Sequence, residues 1–489
     1  MDPFSNLPSL VQTEIFVYLQ SHTSIRQIIQ ASPSMLWHFI FYKDSIIRRI
    51  LNDIVPISTS ANIVRDALRI IDISDKASAK RYEESDIWKT MELPENFTTE
   101  QVQTLWRFFI RMFAFIEDYA SKATSVYPPR AYLGVPDIIG GSGSYFKERR
   151  LETNVIDFTS LTCAEQHRFL SAFVRYELLC KIFYPRIMSY EEQLVVTRKL
   201  GAMCQKSKWK ILLSVHEYYK AVYGALFAHG ANSWLPDIPQ QYKTDQSPPA
   251  MTSEYGLLFP DDTCFDARAY ETDMDKAGRG LAKVLPCFGL DCLTQILACL
   301  RKETWHDSMI RKWLRTLPIS HFHAWTSLLP GGFPDSLPDM DFRRYDRPRT
   351  DRQGQGGPVI TFRPGDWRHD VLKCIQLVTY RQRAWGLFDD DRLYPRHTNH
   401  FPTFSELHRM ESEYVRAKFF YKQPRPLRRS QQWQDIWTLG LQPIRRYGNA
   451  TGPEVDTIAG HLGPCERFFS APSEKLPNDL VEGESEILY

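Results

Sequence analysis

The sequence predicts a mainly α fold: a short three-helix module at the N-terminus, then an irregular helical body interrupted by long loops. Two observations carry this. Apolar residues recur at helical spacing behind hydroxyl-bearing cap positions. Strand patterns are scarce, with Pro358-Val359-Ile360-Thr361-Phe362 the best candidate and a short one. No repeat of 20–50 residues is visible, which argues against a solenoid or propeller.

In chain order, Leu7-Pro8 leads into a first helix in which Val11, Ile15 and Leu19 stand at i, i+4 and i+8, and Leu10 and Phe16 widen the stripe. Ser24 is the expected N-cap of a second helix with Ile25, Ile28 and Ile29 inward. Ser32-Pro33 sets an N-cap and a Pro at N1 for a third. A unit of about 50 residues buries too little surface to be secure alone, so this one must lean on something. Further on, Thr98-Thr99-Glu100-Gln101 forms a capping box before Val102, Leu105, Trp106, Phe109, Ile110 and Phe113. A second box, Thr162-Cys163-Ala164-Glu165, opens a helix with Phe169, Phe173, Tyr176, Leu179, Ile182 and Phe183. Helices are expected near 190–229, 281–301, 305–316, 367–385 and 404–421. Breakers cluster near 127–150, 232–256 and 330–365. The expected organisation is therefore a module over 1–55, a body over 56–440 and an irregular, partly disordered tail over 441–489.

Composition narrows the function. The 489 residues carry Lys+Arg 60 against Asp+Glu 58, a formal charge of +2, so nothing biases the whole chain toward nucleic acid. Hydrophobic residues at 43% supply a sizeable core. There is no basic and apolar leader and no run of about 18 apolar residues, so no membrane is expected, and the reading is cytoplasm and/or nucleus. Nine cysteines, an odd number widely scattered, fit a reducing compartment better than a disulfide framework.

The remaining groupings read as structural. Cys287, Cys292 and Cys299 lack paired metal-ligand spacing and sit in an apolar run, as small core residues do. His321 with His323, and His397, His400 and His408, match no metal motif. Asp389-Asp390-Asp391, after Gly386 as a helix C′ residue, is expected as a solvated turn or as a partner of Arg381, Arg383 and Arg392. The glycines of 140–144 are flexible backbone and not a phosphate loop. The Arg-rich stretch from Arg343 to Arg352 is interleaved with Asp341, Asp346 and Asp351, whereas Lys422, Arg425, Arg428, Arg429, Arg445 and Arg446 are less neutralised and suit an acidic partner better. No nucleophile, base and oxyanion donors can be assembled into a reaction class, so no catalytic residue, metal or cofactor is expected; an enzyme whose groups are scattered along the chain leaves no local trace and stands as a third, weaker reading.

The N-terminal pattern resembles the F-box, the helical module by which adaptors of cullin-RING (SCF-type) ubiquitin ligases dock onto a small linker subunit. Leu7-Pro8, the set Val11, Ile15, Phe16 and Leu19, then Ile25 and Ile28, and Ala31-Ser32-Pro33 carry the likeness. Leu10 stands where the family usually has an acidic residue, and Trp37 is close to, but not at, the family's usual Trp position. Residues 168–178 and 380–393 also look like stretches in filamentous-fungal proteins that begin with such a segment. The resemblance covers about residues 5–52. It implies a non-catalytic substrate adaptor that binds the linker through Leu7, Pro8, Val11, Ile15, Phe16, Leu19, Ile25 and Ile28, and a helical body that recruits an unknown protein target. The alternative is a helical scaffold whose F-box-like segment packs internally and never docks.

Overall fold

A computed structural model describes residues 2–73, 78–79, 97–125, 128–138, 143–146, 149–151, 154–183, 206–230, 285–301 and 378–393. The fold is mainly α: α1 (Ser9–Leu19), α2 (His22–Ala31), α3 (Pro33–Ile54), α4 (Ile57–Asp72), α5 (Thr99–Ala123), α6 (Pro128–Ala131), α7 (Cys163–Phe183), α8 (Lys206–Gly230), α9 (Gly289–Arg301) and α10 (Asp390–Leu393). The helices expected at 305–316 and 404–421, the strand at 358–362, both histidine groupings, both arginine-rich stretches and the tail lie outside the described residues.

The caps read from sequence form as hydrogen-bonded units. The Thr98 N–H donates to Gln101 Oε1 at 3.0 Å and the Gln101 N–H to Thr98 Oγ1 at 3.2 Å. Thr162 and Glu165 make the same reciprocal pair at 3.0 and 3.2 Å. Ser32 Oγ accepts from the Met35 N–H at 3.1 Å with Pro33 at N1, satisfying a donor that the first helical turn otherwise leaves open. Ser24 is not a cap. Gln20 takes φ +49 and turns the chain sharply, so α2 is already helical at His22, behind Ser21.

The loop expected near 127–150 contains order of its own. After α6, strands β1 (Val135–Pro136), β2 (Ser144–Phe146) and β3 (Arg149–Arg150) form an antiparallel sheet in the order β1-β2-β3, with Val135 opposite Tyr145 and Phe146 opposite Arg149. These strands are too short to show an alternating pattern, and the body fixes them instead. Ser144 Oγ donates to the buried carboxylate of Asp118 at 2.6 Å. A Cβ at Gly134 would stand 2.7 Å from both Leu151 and Ser144, so only glycine allows that approach.

Two apolar cores result among the described residues. The body core is built from α4, α5, α7, α8, α9 and the 378–393 segment. It is rich in aromatic rings: Tyr119 stacks on Tyr218 at 4.6 Å, and Phe169, Phe173, Tyr176 and Tyr219 close around them. Cys180, Cys287 and Cys292 are buried free thiols there. The N-terminal core comprises Phe16, Val17, Ile25, Ile29, Met35, Phe39, Ile46, Ile47 and Ile50, and Val102 and Trp106 of α5 complete it. The support that so small a unit requires is therefore the first turns of α5.

Residues 378–393 strap the body together. Tyr119 and Tyr132 donate their hydroxyls to the carbonyls of Arg381 and Gln382. Arg383 donates to the Ala123 and Ser125 carbonyls at 2.9 and 2.7 Å, at the C-terminal end of α5. Gly386 takes φ +83. The hydrogen bonds of the Asp389 carboxylate go to residues distant in sequence, while the charge of the neighbouring Arg392 also favours its ionised form. It accepts from Arg168 and Thr162, each at 2.6 Å, while Arg392 reaches Glu165 at 3.1 Å. Neighbours in space displace neighbours in sequence because the strap lies across the N-terminus of α7.

Candidate functional site

The N-terminal module is positioned by a polar lock as well as by its core. Gln12, buried in α1, donates to the carbonyls of Phe4 and Leu7 at 2.9 and 3.3 Å, which holds the Leu7-Pro8 turn against the helix. Asp2 accepts from Ser32 Oγ at 2.7 Å and from the Ser34 and Phe4 N–H groups at 2.9 Å. Those donors favour its ionised form, with the Ser32 hydroxyl first among them, and hold its carboxyl below the ordinary value. Thr13 Oγ1 and His38 Nε2 lie 2.8 Å apart and tie α1 to α3. Burial lowers the pKa of His38. Burial, then the charge of Arg26, pushes His22 down to about 4. Both shifts favour the neutral imidazole.

The eight residues picked out from the sequence divide by burial. Phe16 and Ile25 have no exposed surface and form the core. Ile15, Leu19 and Ile28 are half-buried and pack against that core. Leu7 is half-buried, Pro8 is exposed, and Val11 is 41% exposed. A docking face made of all eight together does not exist on the folded chain: Phe16 and Ile25 point the wrong way. Pro8 and Val11 are the members with open surface, flanked by the rims of Ile15, Leu19 and Ile28.

Besides Leu10 and Val11 of the stripe, the structure adds five residues that the stripe argument missed. Seven large apolar side chains are exposed among the described residues: Leu10, Val11, Tyr18, Trp37, Ile40, Phe41 and Tyr42. All lie between residues 10 and 42, on α1 and α3. Tyr18 is 88% exposed and continues the outer row of α1 from Val11 at i+7. Trp37 and Phe41 stack with ring centroids 6.0 Å apart, one helical turn from each other on α3. The sequence did hold a signal for this second group. Met35 to Tyr42 is apolar nearly all round, and a helix at the surface cannot bury such a run on every side.

The body presents buried polar groups that are engaged in holding helices together. Asp118 and Lys122 form a buried pair at 2.5 Å. Lys122 also donates to the Gly134 carbonyl at 2.8 Å, and Tyr218 donates to Asp118 at 2.7 Å. Glu177 accepts from the Leu290 N–H at 2.7 Å, capping α9 from α7, and a Cβ at Gly289 (φ +75) would collide with its carboxylate. Asp291 bridges Arg111 at 2.8 Å and Lys181 at 2.6 Å. Each of these charges has a structural partner, and among the described residues no group of three or more His, Cys, Asp or Glu is placed to hold a metal ion. No described helix is long and apolar enough to cross a membrane. Set beside known proteins, the chain matches no family model, no curated protein and no solved structure.

Proposed function

We propose that the chain is a substrate adaptor of a cullin-RING ubiquitin ligase, working in the cytoplasm or nucleus, that docks the linker subunit through its N-terminal helices and holds a protein target with its helical body. The observation that supports this best is the confinement of exposed apolar bulk to residues 10–42, while the large side chains of the described body lie inward. Monomeric proteins seldom leave such surface uncovered unless something binds it. In this reading Pro8, Val11 and Tyr18 form the contact face, the half-buried rims of Ile15, Leu19 and Ile28 border it, and Phe16 and Ile25 keep the face in shape. The adaptor itself carries out no chemistry.

The test is capture of purified linker subunit by the full chain. Val11→Asp/Tyr18→Asp alters only exposed side chains, so it should lower capture at least tenfold while the melting temperature stays put. Equal capture by variant and wild type would overturn the proposal. A second reading, a helical scaffold in which the module serves only this chain, draws support from Val102 and Trp106, which seal the module's core from the body. Capture that is absent from both proteins favours it.

A further inference from the structure

We infer that Glu177 of α7 is a proton-operated latch for α9: the helix is seated most firmly when this side chain is a neutral carboxylic acid and is loosened when it becomes a carboxylate. This goes beyond the adaptor reading and does not depend on it.

The packing of α9 makes the link. This helix lies on α7 and on the turn Leu285–Phe288, and its first turn closes directly over Glu177, which is buried. The Leu290 N–H donates to Glu177 Oε2 at 2.7 Å. A Cβ at Gly289 would stand 2.7 and 2.8 Å from the two carboxylate oxygens, so no water fits between helix and carboxylate on that side. Seating α9 also brings a second carboxylate, Asp291, beside the first. Two cations stand in the same cluster, and Asp291 engages both: Arg111 of α5 at 2.8 Å and Lys181 of α7 at 2.6 Å. Among the described residues Glu177 is left with a backbone donor and no ion pair. The other titratable groups that face it are Cys180 on its own helix and Tyr219 of α8. Each is held protonated by burial first and by the charge of Glu177 next, so neither supplies positive charge.

Two effects oppose each other on this carboxyl. Loss of water, then repulsion from Asp291, disfavours the anion; Lys181, the Leu290 N–H and Arg111 favour it. Burial prevails, and the Glu177 carboxyl stands above the ordinary range. Asp291 stays ionised against its own burial because Lys181 and Arg111 are both on it. When α9 lifts, water returns to Glu177, Asp291 departs with the helix, and Lys181 and Arg111 are released toward the carboxyl that remains. All three changes favour the anion. The seated helix therefore holds one proton more tightly than the lifted one: seating is firm at low pH and weakens as pH rises through the raised value. Lifting uncovers Leu290, Leu293, Ile296 and Leu297, all buried while the helix is seated.

Hydrogen exchange of the full chain between about pH 5.5 and 8.5, corrected for intrinsic rates, reads the local opening of α9. Protection of the α9 amides should fall in the wild type as pH rises, by at most about tenfold per pH unit, the limit for one proton. Glu177→Gln keeps an acceptor for the Leu290 N–H and carries no charge, so its α9 should be protected at every pH. Glu117→Gln removes a carboxyl elsewhere in the body whose pKa burial raises to about 7, and it should leave the slope at α9 as it is in the wild type. Infrared difference spectra in that Glu117→Gln background see the proton itself: a carboxylic acid C=O band should be lost over the same pH range, and adding Glu177→Gln should abolish that change. Four results overturn the inference: protection of α9 that is independent of pH in the wild type, a slope in Glu177→Gln equal to that of the wild type, an α9 unprotected at every pH in Glu177→Gln, which makes the carboxylate the form that holds the helix, and a C=O change that survives Glu177→Gln.

Discussion

Phe16 and Tyr18 stand two residues apart on one helix and should behave as opposites. Phe16 has no exposed surface. Its ring lies 5.3 Å from Phe39 and 6.4 Å from His38, at the centre of the N-terminal core. Phe16→Ala removes a wholly buried ring and leaves a cavity bounded by α2 and α3, which costs about 3–5 kcal/mol. Tyr18 is 88% exposed, and Tyr18→Ala should change stability by no more than about 0.5 kcal/mol. Urea unfolding followed by tryptophan emission reads both, since Trp37 and Trp106 belong to this module and its border with the body. The midpoint should fall sharply for Phe16→Ala and hold for Tyr18→Ala, with unchanged slopes. A cost below about 1 kcal/mol at Phe16, or an equal cost at the two positions, would refute the division of α1 into a core face and an open face.

Two further predictions concern the body. Lys122→Met strands the carboxylate of Asp118 in the interior with only its hydroxyl donors, which should cost about 3–5 kcal/mol; adding Asp118→Asn should restore most of that loss, so a double-mutant cycle by urea unfolding that proves additive would contradict a coupled pair. Burial, with a smaller push from the charge of Asp157, raises the Glu117 carboxyl from 4.5 to about 7 against the hydrogen bond it accepts from the Phe158 N–H. The folded state therefore holds the proton more tightly than the unfolded state, and this group's contribution is intact at low pH and is lost as pH rises from about 4.5 to 7. Glu117→Gln should flatten the fall of unfolding free energy across that window, by at most about 1.4 kcal/mol per pH unit, and parallel stability–pH profiles for variant and wild type by urea unfolding would reject the shift.

Local chemistry was legible in the sequence where a few adjacent residues complete a structural unit. The Thr98/Gln101 and Thr162/Glu165 boxes and the Ser32-Pro33 start of α3 need only their own neighbours, so spacing alone finds them. The N-terminal stripe was legible as helix but not as face. Its spacing places Val11, Ile15 and Leu19 along one side, yet Phe16 and Val17 are what α2 and α3 cover, because the approach of those helices is set by where Gln20 turns the chain. What was not legible depends on partners far along the chain. Nothing near Ser144 announces a strand until Asp118 and Gly134 are known to face it. Nothing near Asp389 announces Arg168, 221 residues earlier. The exposed ridge on α3 was open to inference from a run too apolar for one helix to hide.

The strap also has a consequence for synthesis on the ribosome. Tyr119 and Tyr132 meet their acceptors 262 and 250 residues later. At about 5–20 residues per second, the first half of the polypeptide waits on the order of 10–50 s before the segment that satisfies those hydroxyls leaves the exit tunnel. Through that interval the aromatic heart of α5 and α7 is a half-finished surface with unmet polar groups, an obvious client for chaperones. Truncation by a premature stop codon anywhere before codon 380 should therefore yield a product cleared by quality control, even though the whole N-terminal module has already been made.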